Sequence, residues 1–129
     1  MATITAVETR IKEFGNEAFI YTWTALTTTD NYGSPTKLPG WSDRCVQMNG
    51  ALGTGGQVTM YGSNVVSPNL ANDDDWFILN DAQGNALTLD TLRGEQIIEV
   101  PLWIRPKISG GNGATDLNIH LCLVKGGVW

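Results

Sequence analysis

Charge is what this chain has least of. Asp, Glu, Lys and Arg make up 16% of its 129 residues, against about 25% in an average soluble domain. The eight Lys and Arg are scattered, and thirteen Asp and Glu outnumber them to leave a net charge of −5. Phosphate binding needs clustered cations, so this balance argues against nucleic acid and against acidic bilayer surfaces. There is one histidine, His120, and no dense set of titratable groups, so no enzyme chemistry is expected. Only two cysteines are present, Cys45 and Cys122. A structural zinc site is not expected from them, and in an intracellular redox poise they read as free, small, buried or half-buried side chains. Consecutive apolar residues run to four or five at most, and Pro101 already interrupts 100–104, so no transmembrane span is expected. The first eight residues lack a basic stretch followed by an apolar one, the pattern of a secretory signal.

Turn formers and β-formers are plentiful. Fifteen glycines, five prolines and ten asparagines cut the chain into pieces mostly too short for a stable helix. The pieces between them favour Val, Ile, Thr, Trp, Tyr and Phe, which suit a pleated, half-buried surface. Eight strands are expected, near residues 3–7, 19–26, 44–52, 57–63, 76–79, 86–89, 96–108 and 116–125. In the last, Leu117, Ile119, Leu121 and Leu123 alternate with Asn118, His120, Cys122 and Val124, which places the leucine–isoleucine set on a core. Residues 44–52 and 57–63, joined by Gly53-Thr54-Gly55-Gly56, read as a hairpin. Pro101 and Pro106 make 96–108 either an edge strand or two strands broken by a bend. Residues 27–43 read as a loop. Phe19, Trp23 and Leu26 also fit helical spacing, but aromatic and β-branched density favours a strand there, and elsewhere only Val7, Ile11 and Phe14 offer helical spacing, one weak turn. The expectation is an all-β, antiparallel β-sandwich or jelly-roll-like fold with little helix. An N-terminal arm or edge strand (1–17) would precede a single domain (18–129).

The usual carriers of chemistry are weak here. Asp73-Asp74-Asp75 is the densest charge cluster, but calcium loops space their ligands at alternate positions around a glycine, so a solvated turn is expected. Neither Gly53-Thr54-Gly55-Gly56 nor Gly110-Gly111-Asn112-Gly113 opens a helix, so both read as tight turns and not phosphate cradles. No G-x-S-x-G motif accompanies His120. No catalytic residue, metal ligand or cofactor is assigned. Aromatics are the exception: Trp23, Trp41, Trp76, Trp103 and Trp129 stand beside Tyr21, Tyr32 and Tyr61. Trp76 and Trp103, in apolar segments, suit a core, whereas Tyr32, Trp41 and Trp129 fall in loops or at the terminus, where exposed aromatics mark interfaces or sugar-binding faces. The arm carries Ile4, Val7, Ile11 and Phe14 with little sequence of its own to bury them. These seven residues, Ile4, Val7, Ile11, Phe14, Tyr32, Trp41 and Trp129, are the candidate partner-binding set.

A run of landmarks completes the pattern: Thr22-Trp23-Thr24-Ala25-Leu26, Leu38-Pro39-Gly40-Trp41-Ser42-Asp43-Arg44, the Gly53–Gly56 turn followed by Gly62-Ser63-Asn64, Asp75-Trp76, Asp81 with Gly84-Asn85, and Ile104-Arg105-Pro106 with Gly110-Gly111. Across roughly 18–124 this resembles the head decoration, or cement, proteins of tailed bacteriophages. The landmarks are turns and core positions. The resemblance implies a β-sandwich that binds the outer surface of the capsid, contacts the major capsid protein and stabilises the shell. It further implies a homo-oligomer, a trimer in preference to a dimer, made in the host cytoplasm and located on the virion. Family members are expected to carry Gly-Ser-Asn-Asp-Gly before the tryptophan, whereas residues 65–72 lengthen that loop here. A tail or other virion component, or a carbohydrate-binding module, is the alternative.

Overall fold

The computed structural model describes residues 3–13, 16–37 and 43–124. Twelve strands are found among them: β1 (Thr3–Ile4), β2 (Val7–Glu13), β3 (Asn16–Leu26), β4 (Tyr32–Gly33), β5 (Thr36–Lys37), β6 (Asp43–Ala51), β7 (Gln57–Ser63), β8 (Phe77–Ile78), β9 (Thr88–Leu89), β10 (Gly94–Gln96), β11 (Trp103–Ser109) and β12 (Asp116–Val124). Five form one sheet in the order β10-β6-β12-β3-β2. The other seven form a second sheet, β1-β4-β11-β7-β8, with β5 beside β11 and β9 beside β7. Every strand pairing is antiparallel except β1 with β4. Helix is limited, among the described residues, to a 3-10 turn at Asp73–Asp75. The all-β sandwich expected from composition is the fold observed. No described helix is long and apolar enough to cross a membrane.

Alternation builds the core. Leu117, Ile119, Leu121 and Leu123 of β12 are wholly buried, and so are Val46 on β6, Trp23 on β3, Val58 and Met60 on β7 and Ile104 on β11. Each such side chain contributes roughly 1.5–3 kcal/mol on leaving water. Trp23 is the central aromatic, and its Nε1 donates to the Ser34 carbonyl oxygen at 3.0 Å. Trp76 and Trp103 do not belong to this core, contrary to expectation. Trp103 lies on the far side of the seven-stranded sheet, because a strand's odd and even residues take opposite faces and Ile104 and Ile108 claim the inner one. Trp76, buried but on no strand, lies over that same side against Arg105.

Three further expectations are corrected. First, β6 and β7 are not a hairpin: β6 pairs with β12 and β10, and β7 with β11, β8 and β9. The glycine turn carries the chain from one sheet to the other, with Gly53 and Gly55 at φ of 63° and 73°, a backbone region open to glycine at little cost. A side chain at Gly56 would collide with the Leu52 carbonyl. Second, residues 7–13 are a strand and not a helical turn, since β3 offers them a ladder from Val7↔Thr22 to Glu13↔Asn16. Third, the 27–43 loop contains two short strands, β4 and β5, which pair β11 at Lys107 and at Trp103–Ile104. Their interruption explains how Pro106 sits inside a central strand. Its missing N–H falls opposite the break between β4 and β5. There its ring packs on Gly33, whose Cβ would come within 2.5 Å of it and 2.7 Å of Trp23. The 96–108 segment is neither an edge strand nor two strands: only Gln96 belongs to β10, 97–102 around Pro101 form no strand, and β11 begins at Trp103 inside the other sheet.

Candidate functional site

Among the described residues, the outer side of the five-stranded sheet is open. Pairing registers set its residues in rows across the strands. One row runs Gln47, His120, Thr22, Val7; the next Gln96, Cys45, Cys122, Ile20, Thr9; the third Asp43, Val124, Ala18, Ile11. Asp43, at a corner, is the only Asp or Glu in these rows, and they hold no Lys or Arg. Val7 is 62% exposed, Ile11 43% and Val124 39%. His120 is held by its neighbours: Nε2 lies 3.2 Å from Asn49 Oδ1, and Nδ1 lies 3.3 Å from Thr22 Oγ1. Because a carbonyl oxygen only accepts, Nε2–H is the donor to Asn49, and the Thr22 hydroxyl, able to donate or accept, pairs with Nδ1.

Cys45 and Cys122 are direct cross-strand partners on this face, and both are free thiols. Burial, with Cys45 adjacent, pushes the Cys122 thiol pKa up. Beside them a shallow hollow of about 280 Å³ is lined by Asp43, Arg44, Cys45, Gln96, Cys122 and Val124.

Edge strand β2 has two unlike faces. Val7, Thr9 and Ile11 join the open face, whereas Glu8, Arg10 and Lys12 lie opposite Tyr21, Phe19 and Glu17 on the other. Arg10 Nη2 donates to Glu17 Oε1 at 2.7 Å, and its guanidinium lies 5.1 Å from the Phe19 ring centroid.

The outer side of the seven-stranded sheet is built differently, around a buried cation. Arg105 is 1% exposed, with its guanidinium carbon 4.2 Å from the Trp76 ring centroid, 4.7 Å from Tyr32 and 5.9 Å from Tyr61. Lys107 stands 5.0 Å from the same Tyr32 ring. Trp76 is brought over the sheet by the 64–75 loop, which its Nε1 secures by donating to the Asn69 carbonyl oxygen at 3.0 Å. Asn64 closes the other end of the loop by accepting from the Leu102 N–H. Burial lowers the Arg105 pKa, and Tyr32, Tyr61 and Asp73 offset part of that electrostatically. Nε and Nη1 of Arg105 and Nε1 of Trp103 are buried without an acceptor among the described residues. Ring faces therefore take the place of anions around this guanidinium.

The seven candidates fall in different places. Val7 and Ile11 share the open face. Ile4 is half-buried against the core, in the β1 strand that pairs with β4. Tyr32 is half-buried under Arg105. Phe14, Trp41 and Trp129 lie outside the described residues. Asp73, Asp74 and Asp75 form the 3-10 turn ahead of Trp76, the first two exposed and Asp75 half-buried, capped by Asn72 Oδ1, which accepts from the Asp74 N–H. No described group of three or more His, Cys, Asp or Glu is placed to hold a metal ion. The aromatic cage of Arg105 and the cysteine pair escaped sequence reasoning. The only available signal was an arginine at an alternating position between Trp103 and Lys107. No known family model matches the chain, and neither a curated protein nor a solved structure is significantly similar to it.

Proposed function

We propose that this chain is a non-enzymatic structural protein of a virion, a decoration protein that binds the outer surface of a tailed-phage capsid and stabilises the shell. The observation that carries the reading is the face of the five-stranded sheet left open among the described residues, with its exposed Val7, Ile11 and Val124, no Lys or Arg in its rows, and Asp43 and Asp116 at its ends. The five strands, of three to eleven residues, at about 3.3 Å per residue and about 4.8 Å per strand give a face of roughly 600 Å². That is about three quarters of the roughly 800 Å² per partner of a stable protein interface. A chain that binds the assembled lattice and not dispersed subunits stabilises the shell by mass action. A self-associated protein adds linked attachments, since the second is intramolecular. The resemblance in turn and core landmarks supplies the partner, the major capsid protein. The negative net charge gives no support to nucleic acid as a ligand.

The test mixes the purified protein with expanded heads assembled from the major capsid protein encoded alongside it. Co-sedimentation and negative-stain imaging should show saturable binding and raise the temperature at which the heads rupture. Ile11→Lys with Val124→Lys should lower occupancy while leaving the fold intact. Heads that bind nothing at micromolar protein refute the reading, and decoration of tails alone replaces it with a tail component.

A further inference from the structure

The edge of the five-stranded sheet carries a second surface. Strand β2 pairs with β3 along seven residues, and among the described residues no strand pairs its other side. The opposite edge, β10, is only three residues long. A long unpaired edge is a template for another strand, and the residues of β2 specify which one. Two copies of a strand related by a two-fold axis normal to the sheet run antiparallel, and each residue opposes one of the same facing. With the axis at Thr9, Val7 opposes Ile11 of the second copy, Glu8 opposes Arg10, Thr9 opposes itself, and the reciprocal pairs follow. Val-Glu-Thr-Arg-Ile is thus self-complementary: apolar meets apolar on the open face, and acid meets base on the other, twice each. With the axis at Arg10, two guanidinium groups collide. With the axis at Ile11, Arg10 faces Lys12.

The side chains are free to make these contacts. Glu8 has no hydrogen-bond or ion-pair partner among the described residues. Arg10 spends only Nη2 on Glu17, which leaves Nε and Nη1 for a carboxylate. Val7 and Ile11 are exposed apolar residues that the pairing would set side by side across the seam.

We propose that β2 is a homodimerisation strand, and that its partner is β2 of a second copy in the Thr9-centred register. The two five-stranded sheets become one ten-stranded sheet. Its open faces lie on the same side, since the two-fold preserves facing, so the apolar band of each copy continues into the next. This pairing stands on β2 alone and holds whatever covers the open face.

Sedimentation equilibrium on the full chain tests it, with Glu8→Arg, Arg10→Glu and an equimolar mixture of the two. The wild type should dimerise. Each variant sets like charges opposite one another twice and should weaken the dimer at least about tenfold. The mixture restores Arg against Glu at every position, so it should recover a mixed dimer, seen by its mass in native mass spectrometry. Glu8→Arg leaves the Arg10–Glu17 contact in place, and a circular dichroism spectrum matching wild type separates loss of pairing from loss of fold. A wild type that stays monomeric up to about 100 μM overturns the proposal. So does a trimer, which an isologous contact cannot build. A dimer indifferent to both reversals, or a mixture that fails to reassociate, overturns it equally.

Discussion

Removing either member of the Arg105–Trp76 pair tests whether ring faces stabilise that buried guanidinium. Cation–π contacts contribute about 0.5–1 kcal/mol at exposed sites and about 2 kcal/mol when desolvated. Arg105 is 1% exposed and Trp76 8%, at a separation of 4.2 Å, so the upper figure applies. The single variants should differ. Trp76→Leu loses ring area and the hydrogen bond to Asn69, and should cost about 2–4 kcal/mol. Arg105→Met also relieves two buried donors that have no acceptor, each of which opposes folding by about 1–3 kcal/mol, so its net cost should be much smaller. The coupling, read from a double-mutant cycle in urea followed by circular dichroism, should be about 1–2 kcal/mol at unchanged m-value. It should survive 1 M salt, because a buried pair is screened far less than an exposed one. A coupling below about 0.5 kcal/mol, the level of independent sites, would mean that the loop is held by area burial alone.

Leu121→Ala, at a wholly buried position flanked by Val46 and Tyr21, should cost about 2–5 kcal/mol in the same assay; a loss under about 0.5 kcal/mol would show that this face of β12 is not core. Ala25 adopts φ of 57° where the β3–β12 register shifts, so Ala25→Gly should stabilise by about 0.5–1 kcal/mol, and a lower melting temperature would refute the strain. Cys122 retains its proton to higher pH in the folded state than in the unfolded one, because burial and then Cys45 raise its pKa. Stability is therefore unaffected below the unfolded thiol range and should fall as pH rises above about 8.5. Cys122→Ser should flatten that slope, and an unchanged slope would assign it to other groups.

Local rules decided much of this molecule. Strict alternation in 117–124 leaves one way to bury four aliphatic side chains, so the core face of β12 was legible without coordinates. So was the all-β class, because glycine, proline and asparagine interrupt the chain before helices can form. Turn chemistry, by contrast, says that a chain reverses and not which sheet it enters. A glycine turn such as 53–56 suits a hairpin or a crossing, and only the competing ladders on β12 and β11 assign β6 and β7 to different sheets. The spacing of Val7, Ile11 and Phe14 fits a helix, while Val7, Thr9 and Ile11 fit a strand; the choice is made by β3, which lies outside the segment. Non-local pairs were out of reach for the same reason. Arg105 has no partner along its own strand, and Trp76 reaches it from a distant loop. Cys45 and Cys122 face each other only because β6 and β12 pair in one register. Periodicity reports which side of a strand is wet, but not what stands across from it, since that depends on contacts between segments far apart in the chain.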